Sequence, residues 1–328
     1  MNLNLRKLLY TIVLLLKVPL IAQGSPFYSQ VEMPGGPLAG QPLNTQNIRG
    51  IFFLNGTIHQ IPNANEAKYG YIANFHHDGK FYVARVPYDS IKNVDFIYEK
   101  FTNMVGGHAD LVYQLDPKKP VELLYEIKDS DSSRGYELVE LKEPIRLSEL
   151  VYSAEAVKVT GDKSGLAEGG MSLKFAIAYR LTSVRERLVE PVLGEGRKTT
   201  AVNVGFDEFK AQKSFWNSVT KYHSLGMSTN YHLITNNCIT SAVTALSLGL
   251  SATERQYVEA RLQSVTYNIN ELGISKLSDA KIKQILAENL SIFNQYGRNM
   301  SMQSILNKPY FVNSLTPSEQ STMCKATF

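Results

Sequence analysis

Tyr231-His232-Leu233-Ile234-Thr235-Asn236-Asn237-Cys238 runs directly into Ile239-Thr240-Ser241-Ala242-Val243-Thr244-Ala245-Leu246. The second half is small and apolar, with Ile239, Ala242, Val243 and Leu246 at helical spacing, so a buried helix is expected to begin at Cys238. The opening N–H groups of a helix lack intrahelical partners and carry the positive end of its dipole. A cysteine placed there is favoured as a thiolate. Most free cysteines are merely small buried hydrophobes. Here the two asparagines directly before Cys238 and a candidate base far upstream argue for a nucleophile.

That base lies in Gly106-Gly107-His108-Ala109-Asp110-Leu111-Val112-Tyr113-Gln114-Leu115, which reads as a strand. Asp116-Pro117-Lys118-Lys119-Pro120 follows as a tight loop, and residues 121–128 form a second strand expected to pair antiparallel with the first. The odd residues, from Ala109 to Ile127, make one nearly all-apolar and therefore buried face. The even face is polar at the His108 end. With Leu115 set opposite Val121, Asp110 faces Glu126, which puts Glu126 at diagonal range of His108. Glu126 is thus the expected group to fix the imidazole tautomer, with Asp110, two residues along the same strand, as the alternative. The two glycines permit close approach of a backbone or a substrate, and serve equally as a turn. His232 is a rival base, six residues before the cysteine.

Around these residues the chain reads as β-rich, then helical. Residues 50–54 form a short strand, and 69–86 a hairpin about Asp78-Gly79. His76 and His77 flank that turn and face opposite sides, so they do not grip one metal. Residues 89–104 fit an amphipathic helix, with Ile91, Val94, Phe96, Ile97 and Phe101 as its apolar members. The middle continues with strands over 136–141, 154–159 and 171–181. A helix over 206–222 carries Trp216, the only tryptophan, and further helices fit 252–265 and 279–296.

The chain has 328 residues, a formal charge of +4 and two cysteines, Cys238 and Cys324. Its Lys and Arg residues are scattered rather than striped, which does not suggest nucleic acid. One cysteine pair is no disulfide framework, although Cys238 could pair with Cys324 in an oxidising compartment. Nor do two cysteines make a zinc site without suitably spaced histidines. Arg6 and Lys7, the apolar run 8–16 and Ala22-Gln23-Gly24 before Ser25 read as a secretory signal peptide over 1–24, or otherwise an uncleaved anchor. Residues 25–48 are an extended lead-in rich in Pro, Gly, Gln and Asn. Residues 49–250 hold the Cys–His domain, and 251–328 a helical C-terminal segment. The expected class is α+β, exported to the periplasm or cell envelope.

The order of Gly107-His108-Ala109, then a further strand, then Tyr231 and Asn237-Cys238 resembles the circularly permuted papain-like proteins, relatives of the NlpC/P60 hydrolases and of the lecithin–retinol acyltransferases. The pattern is similar to an exported bacterial family that includes the lipoprotein N-acyltransferase Lnb. That resemblance spans about residues 50–250. It implies a permuted papain-like core with an antiparallel sheet and thiol-dependent acyl transfer by Cys238 and His108 through a thioester, without cofactor or metal. Backbone N–H groups at the helix start, with Asn237 and Tyr231, would hold the oxyanion or position the site. The implied partners are a phospholipid or diacylglyceryl lipid donor, a lipoprotein acceptor and a membrane surface. A peptidase or amidase of the same architecture, and a non-catalytic envelope binding protein, are the alternatives.

Overall fold

The structure is a computed structural model that describes residues 39–44, 48–56, 61–100, 107–130, 135–165, 169–170, 174–189, 198–225, 230–232, 236–256, 298–300 and 316–317. The class is α+β: a large, mostly antiparallel sheet with few helices. Its strands in chain order are β1 (Phe52–Phe53), β2 (Tyr69–His77), β3 (Lys80–Pro87), β4 (Ile91–Lys100), β5 (Gly107–Leu115) and β6 (Val121–Asp129). There follow β7 (Tyr136–Leu147), β8 (Glu149–Lys158), β9 (Phe175–Thr182), β10 (Lys198–Asn203), β11 (Asn230–Tyr231) and β12 (Arg298–Met300). They lie in the order β12-β10-β4-β5-β8-β9-β2-β3-β6-β7, with β1 beside β2 and β11 beside β9. Among the described strands only β2 and β9 run parallel. Two helices, α1 (Glu208–Leu225) and α2 (Cys238–Ser247), pack on one face of the sheet against β4, β5 and β8.

The β2–β3 hairpin forms as expected, with Asp78 and Gly79 both at positive φ (50° and 71°) in the two-residue turn. The helix expected over 89–104 does not form: residues 91–100 are β4, paired to β5 and β10. The reason is burial on both faces. Val94, Phe96 and Tyr98 face α1 and α2, while Asp95, Ile97 and Glu99 are buried on the other side. Apolar residues therefore fall on both sides and imitate a 3.6-residue period, although β-branched and aromatic types favour a strand.

The hairpin expected between β5 and β6 does not form either. β5 pairs with β4 and β8, and β6 with β3 and β7. Four strands stand between β5 and β6, about 24 Å in a flat sheet at ~4.8 Å per strand. The Leu115-to-Val121 step reaches at most about 21 Å fully stretched, so the sheet must curl. It does so through a long ribbon. The Gln114↔Glu149 pairing of β5 with β8 passes into the Val121↔Leu147 pairing of β6 with β7, bridged by Leu115 N–H to Ser148 O at 2.8 Å. At its far end the ribbon runs to the Asp129↔Tyr136 pair, beyond which Ser130 N–H donates to Gly135 O.

The core lies between the helices and the odd face of β5. Ala109, Leu111 and Tyr113 pack with Phe96, Tyr152, Phe215, Ala242 and Leu246. Small residues bring α2 close to its neighbours: Ser214 Oγ on α1 donates to Ala245 O at 2.9 Å, and Tyr113 OH meets the same serine at 2.8 Å. Two segments depart from their expected character. The end of the lead-in pairs with the sheet, Leu43 bridging Val159 and buried with it. Within the expected helical tail, residues 298–300 form β12 on the edge of β10. Of the helix expected over 252–265, residues 252–256 are helical; the rest of it, the helix expected over 279–296, the signal segment and Cys324 lie outside the described residues.

Candidate active site

The Tyr231–Cys238 stretch folds as a strand end, a bridge and a capped helix. Tyr231 pairs with Phe175 on β9. His232 and Asn236 then exchange backbone hydrogen bonds of 2.9 and 3.1 Å, and Asn236 Nδ2 donates to Asn230 O. Asn237 is the N-cap of α2: its Oδ1 accepts from Thr240 N–H at 3.0 Å, while Asn237 N–H donates to Thr240 Oγ1 at 2.9 Å. This reciprocal box fixes the first turn and sets Cys238 at its opening. Cys238 is a free cysteine, 5% exposed.

The sheet parts where the cysteine enters. β4–β5 pairing continues to Lys100↔Gly107, but β5–β8 pairing stops at Asp110↔Ser153. Ala109 N–H is therefore available beyond the last β8 pair, and it donates to the Cys238 sulfur. The His108 side chain hydrogen-bonds the same sulfur. His108 Nε2 lies 2.9 Å from Asp110 Oδ1 and 2.9 Å from Ser153 Oγ, which leaves Nδ1 to face the thiol.

Asp110 thus orients His108, and the expectation placed on Glu126 is corrected. Glu126 sits on β6 between Lys80 (Nζ to Oε2, 3.2 Å) and Lys128 (4.0 Å), in the part of the sheet built by β3 and β7. The expectation failed because it assumed a turn at 116–120, where the chain only rounds a corner. Residues i and i+2 of a strand share a face, and that spacing alone places Asp110 beside His108.

The charges are mutually supporting. Burial pushes the His108 ring down, but the Asp110 carboxylate and the Cys238 sulfur outweigh it and Arg187, raising the pKa to about 10. Burial raises the Asp110 carboxyl, yet Arg187 and His108 hold it down at about 2. For Cys238, burial acts upward, but the His108 charge, its hydrogen bond and the Ala109 N–H bring the thiol below its ordinary value. A thiolate–imidazolium pair over a carboxylate is the state these shifts favour.

Two tyrosines complete the surroundings of the sulfur. Tyr231 is 4% exposed and its hydroxyl hydrogen-bonds Cys238; burial and the neighbouring sulfur push the phenol far up, so it stays a neutral donor. Tyr98 on β4, which the sequence reading did not single out, is raised to about 12 by burial and by Cys238. Asn237 Oδ1 is an acceptor held by the cap, and the donors for an oxyanion at the cysteine are the backbone N–H groups of the first turn of α2. His232 contributes its backbone bridge; His108 is the histidine that bonds the thiol. His76 and His77 are divided by the sheet: His76 Nδ1 meets Arg180 Nη2 at 2.6 Å, and His77 Nδ1 meets Ser183 Oγ at 2.9 Å.

No family model, curated protein or solved structure matches this chain. Among the described residues no helix is long and apolar enough to cross a membrane.

Proposed function

We propose that this chain is a cysteine-dependent acyltransferase of the bacterial envelope, with a permuted papain-like core, that N-acylates the lipid-modified N-terminal cysteine of lipoproteins. The observation that carries the reading is the run Cys238–His108–Asp110: a lowered thiol at a helix start, an imidazole bonded to it, and a buried carboxylate on the far ring nitrogen. The chain order, histidine strand before cysteine helix, supports the permuted arrangement.

In this mechanism the Cys238 thiolate attacks an ester carbonyl of a phospholipid or diacylglyceryl lipid. Charge on the carbonyl oxygen is met by N–H groups at the head of α2 and by the Tyr231 hydroxyl. The C–S bond forms, the acyl C–O bond breaks, and the leaving alkoxide takes the proton of His108. The acceptor amine then attacks the thioester, its proton passes to the neutral His108, and the C–S bond breaks to restore thiolate and imidazolium. Asp110 keeps the ring in the useful tautomer throughout. The burial of Cys238 keeps water scarce, as transfer to an amine requires.

Purified protein given phospholipid and a diacylated lipopeptide should yield the N-acylated peptide, and Cys238→Ala should abolish it. Release of free fatty acid or of cut peptides without the amide would move the assignment to the hydrolase. A Cys238→Ala protein that still supported the envelope would leave the binding-protein reading.

A further inference from the structure

Behind Asp110, on the sheet face away from α1 and α2, lies a buried ionic cluster that the proposed chemistry does not use. Its centre is Arg187, carried by a π-helical turn, Arg185–Val189, that follows β9. Arg187 Nη2 lies 3.2 Å from Asp110 Oδ2, Nη1 3.4 Å from Glu99 Oε2, and Nε 3.8 Å from Glu155 Oε1. The side chains of Asp110 and Glu99 are fully buried and that of Arg187 is 11% exposed. Asp110 Oδ2 has no in-line hydrogen bond, so Arg187 holds it by charge.

We propose that Arg187 is the positioning residue of the Cys238–His108 pair: it clamps Asp110 from behind so that Oδ1 stays on His108 Nε2, and Glu99 on the next strand clamps Arg187 in turn. This rests on the acyl-transfer reading of the same site.

The placement of Arg187 is over-determined. Ser183 N–H donates to His76 O at 3.0 Å, Arg187 N–H donates to Ser183 O at 3.1 Å, and Glu186 N–H donates to Ser183 Oγ. Gly79 N–H donates to Glu186 Oε2 at 2.9 Å, tying the turn to the β2–β3 hairpin. Such π-turns break helical regularity to aim one side chain and recur at functional sites. Register serves the same end: Glu99 is directly opposite His108, and Asp110 opposite Ser153, so all four share the face that Arg187 covers. The charged groups facing Arg187 are Glu99 from β4, Asp110 and His108 from β5, Glu155 from β8 and Cys238 from α2. Arg180 on β9 holds the same Glu155 at 3.1 Å and meets His76 on β2, which burial and Arg180 keep uncharged. Two guanidinium groups and the His108 imidazolium thus stand among three carboxylates and the Cys238 thiolate.

The test reads Cys238 directly, by the pH dependence of its alkylation with iodoacetamide in the full chain, with Trp216 fluorescence and circular dichroism to certify folding. Wild type should react with a midpoint below that of an ordinary thiol. The charge-neutral pair Glu99→Gln/Arg187→Gln removes the clamp and keeps the net charge; its rate at pH 6 should fall at least ~10-fold, one pKa unit of thiolate. Arg187→Lys keeps the charge but loses the fork that spans two carboxylates, and should fall between the two. Arg187 acts through Asp110, so Asp110→Asn, which keeps the shape, must show at least the same loss. A wild-type profile in any folded one of these three proteins overturns the proposal. An ordinary thiol profile in wild type would instead sink the acyl-transfer reading itself.

Discussion

At the scale of single residues, the site rests on one proton shared between Cys238 and His108 and on one carboxylate that decides where it sits. Cys238→Ser should be inactive, and His108→Ala should cost at least ~10²-fold in turnover, the usual worth of a general base. Glu126→Gln should leave turnover unchanged, because that side chain pairs with Lys80 and Lys128 in the part of the sheet built by β3 and β7. Turnover should rise with pH through the lowered Cys238 value and fall again as pH passes about 10, where His108 loses its proton. A profile that instead climbed through the ordinary thiol range would mean that the pair is not charged. Cys238 was legible as a helix-head thiol from the small apolar run that follows it, and His108 from its glycine-led strand. Asp110 was visible as an i+2 neighbour but was ranked below a cross-strand partner that the folded chain carries elsewhere. Arg187 and Glu99 left no local signal, since three strands and a turn distant in sequence must meet before they touch.

At the scale of elements, α2 is held by its cap and by close packing against α1. Asn237→Ala removes one half of the capping box and should lower stability by about 1 kcal/mol. It should also slow Cys238 alkylation, since the first turn sets the sulfur; equal rates in variant and wild type would show that the cap does not position the thiol. Gly249 lies just beyond α2, where an added methyl would stand 2.5 Å from the Lys210 carbonyl oxygen of α1. Backbone cannot rotate away as a side chain can. Gly249→Ala should therefore cost about 1–3 kcal/mol, as overpacking does, read as a lowered urea midpoint. The β2–β3 hairpin was legible because Asp78-Gly79 is a local turn signal. β4 was not, because its two buried faces present apolar residues at every spacing. The β5–β6 pairing misled because Asp116 to Pro120 looks like a hairpin loop, whereas β6 pairs with β7 from Val121↔Leu147 to Asp129↔Tyr136.

For the whole molecule, the curled sheet lets one polar chain run buried from β2 through β9, β8 and β5 to β4, and that chain makes stability depend on acid. The folded Asp110 value, about 2, lies below its unfolded value of 3.8, and Glu155 is lowered too, by Arg180 and Arg187 against its burial. Their stabilisation is complete above the unfolded values and is lost as pH falls through the folded ones. Urea midpoints measured from pH 5 down to pH 2 should therefore drop, and Asp110→Asn should drop less steeply; parallel curves would contradict the charged state of Asp110. An α+β architecture was legible from the strand-rich first half, but the sheet order was not. Contacts between strands far apart in sequence depend on which surfaces cover both faces, and no local pattern records that. The central claim, a Cys238 thiolate that takes an acyl group, is tested most directly by mass spectrometry of the intact protein after incubation with a phospholipid of defined chains and no acceptor. The account predicts a gain of one acyl chain, mapped to the peptide carrying Cys238, removed by neutral hydroxylamine, and absent in Cys238→Ala and in His108→Ala. An unmodified Cys238, or a gain that persists in Cys238→Ala, would contradict it.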